Sequence, residues 1–365
     1  MVSKVMKSLK IAVLGFGTVG RALVQLLDEA DLGIEVKYIL RRPGKTAGTD
    51  TRMTDTLETI LHDSELDAVV DVLAGPEPAF SYVQKALAAG FDVVSANKAA
   101  LARDLPGLTA LAREKGAHLL YEAACGGGMP IIESIKKAVR FDRVLAMEGI
   151  LNGTCNFMLD AMDSQGWSFE EALKEAQRFG YAEADPTTDI TGEDVRNKAI
   201  IACSLAYQGA VAADFPVTGL VGLTAEFLAK LKVEGKTLRL MMLSKAEGRH
   251  YAVGVVPVVV SASSIAANVK KNFNYATLEC STLGSLSLIA QGAGGLPTAD
   301  AIIQDLINLQ HGSATEGRVD GSLQYDPSLL TGRAYIGDGI TDGVSLHDAV
   351  AFAKANQHFL AFEPR

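Results

Sequence analysis

Asp194 and Lys198 stand four residues apart in a stretch with helical apolar spacing, so their carboxylate and ammonium share one face and can pair. Just before them, Glu183, Asp185 and Asp189 crowd acidic groups into a turn, a suitable counter-charge for a substrate ammonium. A second lysine, Lys98, follows the strand-like run 92–95, and ligands of open α/β sheets bind at strand ends. Two ammonium groups can bracket a carbonyl: one stabilises charge on oxygen and the other delivers a proton as hydride reaches carbon. Each residue also has a plainer reading. The pair could be an exposed salt bridge worth a few tenths of a kcal/mol, the acids solvated loop residues, and Lys98 a surface lysine.

Hydride chemistry needs a carrier. The chain offers a place for one at Gly15-Phe16-Gly17-Thr18-Val19-Gly20, between the apolar run 10–14 and the helical spacing of 21–27. In such a turn the first glycine allows the bend, the second admits a pyrophosphate and the third lets helix pack on strand, while the helix N-terminus faces the anion. About 20 residues further on, sites that prefer NAD carry an acid for the ribose 2′-hydroxyl. This chain has Arg41 and Arg42 there, and a guanidinium can pair with a 2′-phosphate, so NADP is the expected cofactor, with NAD a lesser one.

The elements that must hold these residues alternate at first. Strand-like runs at 10–14, 34–40, 68–73, 92–95 and 118–121 are separated by helical stretches near 80–89 and 105–115, which predicts a Rossmann-type doubly wound parallel sheet over residues 1–128. Past Gly126-Gly127-Gly128 the pattern changes. A helix at 131–139, a strand at 143–150, a helical tract at 156–179 broken near Gly166, a helix at 194–207, mostly helix over 220–246, and strands at 251–261 and 277–290 predict a mixed α+β domain over 129–290. Residues 291–310 read as a glycine turn and a helix returning to the nucleotide domain, and 311–365 as a more polar extension without an assigned role.

Four ordered segments now carry a family resemblance: SANKAAL (95–101), EAACGGGMPII (122–132), GILNGTCNF (149–157) and GYAEADPTTDITGEDVRNK (180–198). Together they resemble homoserine dehydrogenase, over roughly residues 11–310. The resemblance implies NADP-dependent interconversion of L-homoserine and L-aspartate 4-semialdehyde, within amino-acid biosynthesis. It implies Lys98, Lys198 and Asp194 as catalytic residues, and Glu183, Asp189, Thr154, Gly153 and Asn152 around the amino-acid substrate. The nucleotide would rest on the glycine turn, Arg41, Arg42, Leu73, Ala74, Asn97 and Lys98. Sodium is implied on backbone carbonyls around Cys125 and Gly127 with Glu122, although the same glycine run also reads as an interdomain hinge. A homodimer through the second domain is implied too. The run VDVLAGPEP (70–78) departs from the family's usual glutamate and paired glycines, and the tail is too short for the regulatory module of longer members. Two competing functions keep the fold: a dehydrogenase for another small amino or hydroxy aldehyde, and a non-catalytic NADP-binding sensor, against which the paired lysines and acidic loop argue.

Composition bounds the partners. Among 365 residues, 48% are hydrophobic and 21% charged, which is globular and not disordered. A net charge of -9 with scattered basic residues argues against nucleic acid. The four cysteines lie far apart with no C-x-x-C pair, which argues against disulfides and zinc. No secretory leader or membrane-length apolar run is read, so a cytoplasmic enzyme acting on a small molecule is expected.

Overall fold

The computed structural model describes residues 8–41, 50–315 and 317–365. The chain divides into two compact units, one of residues 1–136 and 293–320, the other of 137–292 and 321–365.

In the first unit, among the described residues, six strands form one sheet: β1 (Leu9–Leu14), β2 (Ile34–Leu40), β3 (Met53–Thr54), β4 (Ala68–Asp71), β5 (Asp92–Ser95) and β6 (Leu119–Leu120). Every pairing is parallel and the order is β3-β2-β1-β4-β5-β6. Such a sheet is covered on both faces, which is why its strands read as unbroken apolar runs: Ile11, Ala12, Val13 and Leu14 are all fully buried. The order reverses between β1 and β4, and open α/β sheets bind ligands at the carboxyl ends beside such a reversal.

The helix Gly295–Gln310 joins this unit across a gap of more than 150 residues in sequence. Its Ala299, Ile302 and Leu306 share a core with Leu23, Val24 and Leu27 of the helix Thr18–Glu29. A polar tie adds to it, because the peptide N–H of Glu122 donates to Asp305 Oδ2 at 2.9 Å. Burial pushes the Asp305 carboxyl up to about 6 and that of Glu122 up to about 7.

The second unit is built on nine strands among the described residues. They are β7 (Val144–Ile150), β8 (Lys236–Glu247), β9 (His250–Ser261), β10 (Phe273–Cys280), β11 (Gly284–Gln291), β12 (Gln324–Tyr325), β13 (Thr331–Ile336), β14 (Gly339–Ser345) and β15 (Leu360–Pro364). Their order is β11-β10-β7-β8-β9-β15-β13-β14, with β12 beside β9. Two sequence expectations fail here. Residues 236–246, within the stretch read as mostly helix, belong to the long strand β8, flanked by β7 and β9. Leucine, methionine, lysine and arginine favour helices only weakly, and burial of the whole run Thr237–Ser244 between two neighbouring strands overrides that preference. The single strand expected at 277–290 is instead a hairpin, β10 and β11, paired from Phe273 with Gln291 to Cys280 with Gly284.

The tail also acquires a role. Strand β15 pairs β9 at Phe362 and Val258, and β13 and β14 extend the sheet beyond it. Phe362, Leu360, Leu346 and Val350 are buried in one cluster with Val256 and Met241. The last residues therefore complete this unit's core. No helix among the described residues is long and apolar enough to cross a membrane.

Phe362→Ala tests that role. Removing a fully buried aromatic ring is expected to cost about 3–5 kcal/mol in urea unfolding of the second unit. A loss below about 1 kcal/mol would mean that the tail is a detachable appendage.

Candidate active site

The helix Glu193–Ala206 starts at Gly192, whose φ of +87° suits a residue without a side chain. From there the helix runs inward, with Val195 and nearly everything from Lys198 to Ala206 buried. Asp194 and Lys198 lie on it, and Lys198 Nζ donates to Asp194 Oδ2 at 2.7 Å and to the carbonyl of Leu151 at 2.5 Å. Both side chains are 8% exposed. The exposed surface pair, a plausible reading from sequence, is thereby excluded. Breaking one partner of a desolvated pair typically costs about 3–5 kcal/mol, because the other charge is left uncompensated. Asp194 in the first turn also meets the favourable end of the helix dipole.

Leu151 precedes the turn that launches the helix Gly153–Gln165. Asn152 caps that helix by accepting the Cys155 N–H at 2.8 Å. Its Nδ2 donates to Asp189 Oδ1 at 2.7 Å and to Asp194 Oδ2 at 2.9 Å. A Cβ on Gly153 would lie 2.7 Å from the Asn272 carbonyl, so only glycine fits. Thr154 donates its hydroxyl to the Tyr181 carbonyl at 2.6 Å and pins the start of the acidic loop. Cys155 donates to the Asp189 carbonyl at 3.3 Å, and burial raises its thiol well above the usual range, so it stays protonated. One unit thus gathers Asn152, Thr154, Asp189, Asp194 and Lys198 in linked contacts. Glu183 is exposed, and its carbonyl accepts from Gln177.

In the first unit the glycine turn is tightly packed at Gly20 and open at Gly17. A Cβ on Gly20 would fall 2.3 Å from the Gly15 carbonyl, so helix and strand could not approach with any other residue. At Gly17, the N-cap of the helix Thr18–Glu29, a Cβ would meet nothing within 4 Å, and no side chain caps the helix. Its first N–H groups can therefore serve an anion. Phe16 lies beneath the Arg21 guanidinium, 5.3 Å from it, Thr18 is exposed and Val19 half-buried. At the end of β2, Arg41 donates its peptide N–H to Thr54, while Nε and Nη1 are buried with no hydrogen-bond partner among the described residues. Arg42 lies outside the described residues.

The ends of β4 and β5 are joined by a network not foreseen from the sequence. Asp71 Oδ1 accepts from Leu73 N at 3.0 Å and Oδ2 from the Ser95 hydroxyl at 2.9 Å. Asn97 in turn donates to the carbonyls of Leu73 and Gly75 and caps the turn Lys98–Leu101. This fixes the loop bearing exposed Ala74 and sets the position of half-buried Lys98. Burial lifts Asp71 to about 6, against the two hydrogen bonds that favour its charge. An acid ending an otherwise apolar strand was the visible signal. The Leu151 carbonyl, by contrast, carries no mark in the sequence.

The residues expected around sodium lie in and beside the helix Glu122–Gly126. Both Glu122 carboxylate oxygens accept N–H groups at the start of the helix Ile131–Ala138, from Ile132 at 3.0 Å and Glu133 at 2.7 Å. Cys125 is buried and Gly127 ends the helix Glu122–Gly126 at φ +60°. No group of three or more His, Cys, Asp or Glu side chains suited to a metal occurs among the described residues.

Comparison with known proteins gives this arrangement a family. Residues 130–307 match the homoserine dehydrogenase model and 15–122 the homoserine dehydrogenase NAD-binding domain model. A homoserine dehydrogenase of Corynebacterium glutamicum is 33% identical over 334 residues, covering 86% of this chain and 75% of that protein. The crystal structure of a homoserine dehydrogenase from Thiobacillus denitrificans is similar at a TM-score of 0.87 with 26% identity, covering 98% of both chains. A hyperthermophilic archaeal homoserine dehydrogenase in complex with NADPH shares the fold at a TM-score of 0.72 and 24% identity, covering 85% of this chain and 99% of that one. The chain belongs to the homoserine dehydrogenase family, oxidoreductases acting on a CH–OH group and carrying a nicotinamide-binding domain.

Proposed function

We propose that this enzyme interconverts L-homoserine and L-aspartate 4-semialdehyde with NADP as the hydride carrier. In the oxidation, the terminal carbon of homoserine loses a hydride and its hydroxyl a proton, giving the aldehyde, reduced cofactor and H⁺. The nicotinamide supplies the hydride exchange when bound. The chain's residues have the rest of the work: to hold the amino acid and to manage charge and proton at its oxygen. The observation that carries this reading is the buried Lys198 ammonium, fixed by Asp194 and the Leu151 carbonyl beside Asp189.

In this account Asp189 and Glu183 bind the substrate ammonium, while Gly153 and Thr154 shape the turn beside it. Lys198 stabilises negative charge on the reacting oxygen, a role for which a desolvated, pre-oriented cation is far more effective than a solvated one. Asp194 keeps that ammonium aimed. Lys98, held on the turn capped by Asn97, takes the second proton-handling role. Both directions use the same groups, since the proton removed in oxidation is the one returned in reduction.

The choice of NADP rests on Arg41. A guanidinium with two buried nitrogens unpartnered among the described residues, at the end of β2, suits the two or three acceptor oxygens of a 2′-phosphate. The archaeal homoserine dehydrogenase of the same fold is in complex with NADPH. A homodimer through the second unit is part of this reading. Its edge strand β11 leaves Ile289 exposed and has an open outer side among the described residues.

Two substitutions separate these claims. Lys198→Ala is expected to lower kcat for homoserine about 10²–10⁴-fold with cofactor affinity preserved, whereas turnover within tenfold of the parent would remove Lys198 from the chemistry. Arg41→Asp is expected to cut kcat/KM for NADP about 10–100-fold, the loss of one or two charged hydrogen bonds, without harming use of NAD. Equal effects on both cofactors would end the 2′-phosphate argument.

A further inference from the structure

Asn152 makes three hydrogen bonds, and their directions constrain what it does. Its Oδ1 must be the atom facing Cys155, because a backbone N–H requires an acceptor there. The amide nitrogen is therefore turned towards Asp189 and Asp194, and each of its two hydrogens meets a different carboxylate. Those carboxylates come from different elements, Asp189 from the turn Thr187–Ile190 and Asp194 from the helix Glu193–Ala206. Asn152 is 4% exposed, so solvent screens the repulsion between them poorly.

We propose that Asn152 is a positioning residue that clamps Asp189 and Asp194 side by side in their ionised forms. Asp194 then stays on Lys198 while Asp189 remains charged for the substrate ammonium. The proposal rests on the dehydrogenase reading for those two roles, and Asn152 acts through the aspartates, not on the substrate. The residue type is the informative part. A lysine here would take Asp194 away from Lys198, an aspartate would add a third negative charge, and a serine could cap the helix without reaching both carboxylates. Only a neutral side chain with two donors on one nitrogen and an acceptor on the other side fits all three partners. The titratable groups that face it are Asp189, Asp194, Lys198 and the Cys155 thiol, and the thiol is held protonated by burial.

Two variants of the full chain test this, each compared with the parent at pH 8 and pH 6. Asn152→Asp keeps the volume and the helix cap but replaces the double donor by an acceptor. At pH 8 its kcat/KM for homoserine is expected to fall at least about 100-fold, with the Kd for NADPH within twofold of the parent. At pH 6 the deficit is expected to shrink about tenfold or more. The added carboxyl, buried beside two like charges, has a raised pKa; it takes up a proton as pH falls and becomes a donor again. Asn152→Ser keeps a cap, cannot regain a bridge, and is expected to show a deficit of the same size at both pH values.

Thermal unfolding of the same proteins reads the clamp without any turnover. The gap in Tm between Asn152→Asp and the parent is expected to narrow from pH 8 to pH 6, since a carboxyl whose pKa is raised by folding loses stability as pH rises. If the parent fails to oxidise homoserine while this gap still narrows, the substrate assignment falls and the clamp stands. If homoserine is oxidised but both the activity deficit and the Tm gap of Asn152→Asp are independent of pH, the clamp is overturned. Should Asn152→Asp not fold, a deficit of less than threefold in Asn152→Ser would overturn it equally.

Discussion

The structure of the second unit is organised around a lysine ammonium that has been taken out of water. Moving a charge into the interior costs several kcal/mol, and the cost is offset only where geometry is good and every donor has an acceptor. Lys198 has two such acceptors, Asp194 one helical turn away and the Leu151 carbonyl just past β7. The helix that carries it is buried almost throughout, so apolar packing supplies the energy that keeps a charged pair in place.

That demand explains the surrounding detail. The acidic turn must come close to the pair, and it is pinned from several sides: Thr154 on Tyr181, Cys155 on the Asp189 carbonyl, and Leu220 N–H on the carbonyl of Ile190. Crowding carboxylates beside an ion pair would be unfavourable without neutral donors between them, and Asn152 supplies two. The first unit solves a different problem. There a glycine turn leads into the helix Thr18–Glu29, and a network of neutral and acidic groups, Asp71, Ser95 and Asn97, holds a loop in shape.

Much of this was legible beforehand because it depends on local pattern. The parallel sheet follows from apolar runs alternating with helical spacing, and the pairing of Asp194 with Lys198 follows from a separation of four residues. Gly20 was readable as a packing glycine, and the structure gives it its reason in the nearby Gly15 carbonyl. What escaped depends on distant partners. Strand β8 looks helical by composition until β7 and β9 bury it from both sides, and the hairpin of β10 and β11 lacks a strong turn signal at 281–283. The tail was opaque for the same reason: Phe362 gains its place from Val258, about a hundred positions away. Burial itself, which separates a working ion pair from a solvated one, cannot be seen in residue spacing at all.

The central claim is that Asp194 and Lys198 act as one unit in the chemical step. A double-mutant cycle over Asp194→Asn and Lys198→Met, read by single-turnover hydride transfer with cofactor prebound, measures this directly. The account predicts that the double variant is no slower than the slower single variant, because either change alone already dismantles the pair. Losses that multiply across the cycle would show two residues contributing independently, and would contradict it.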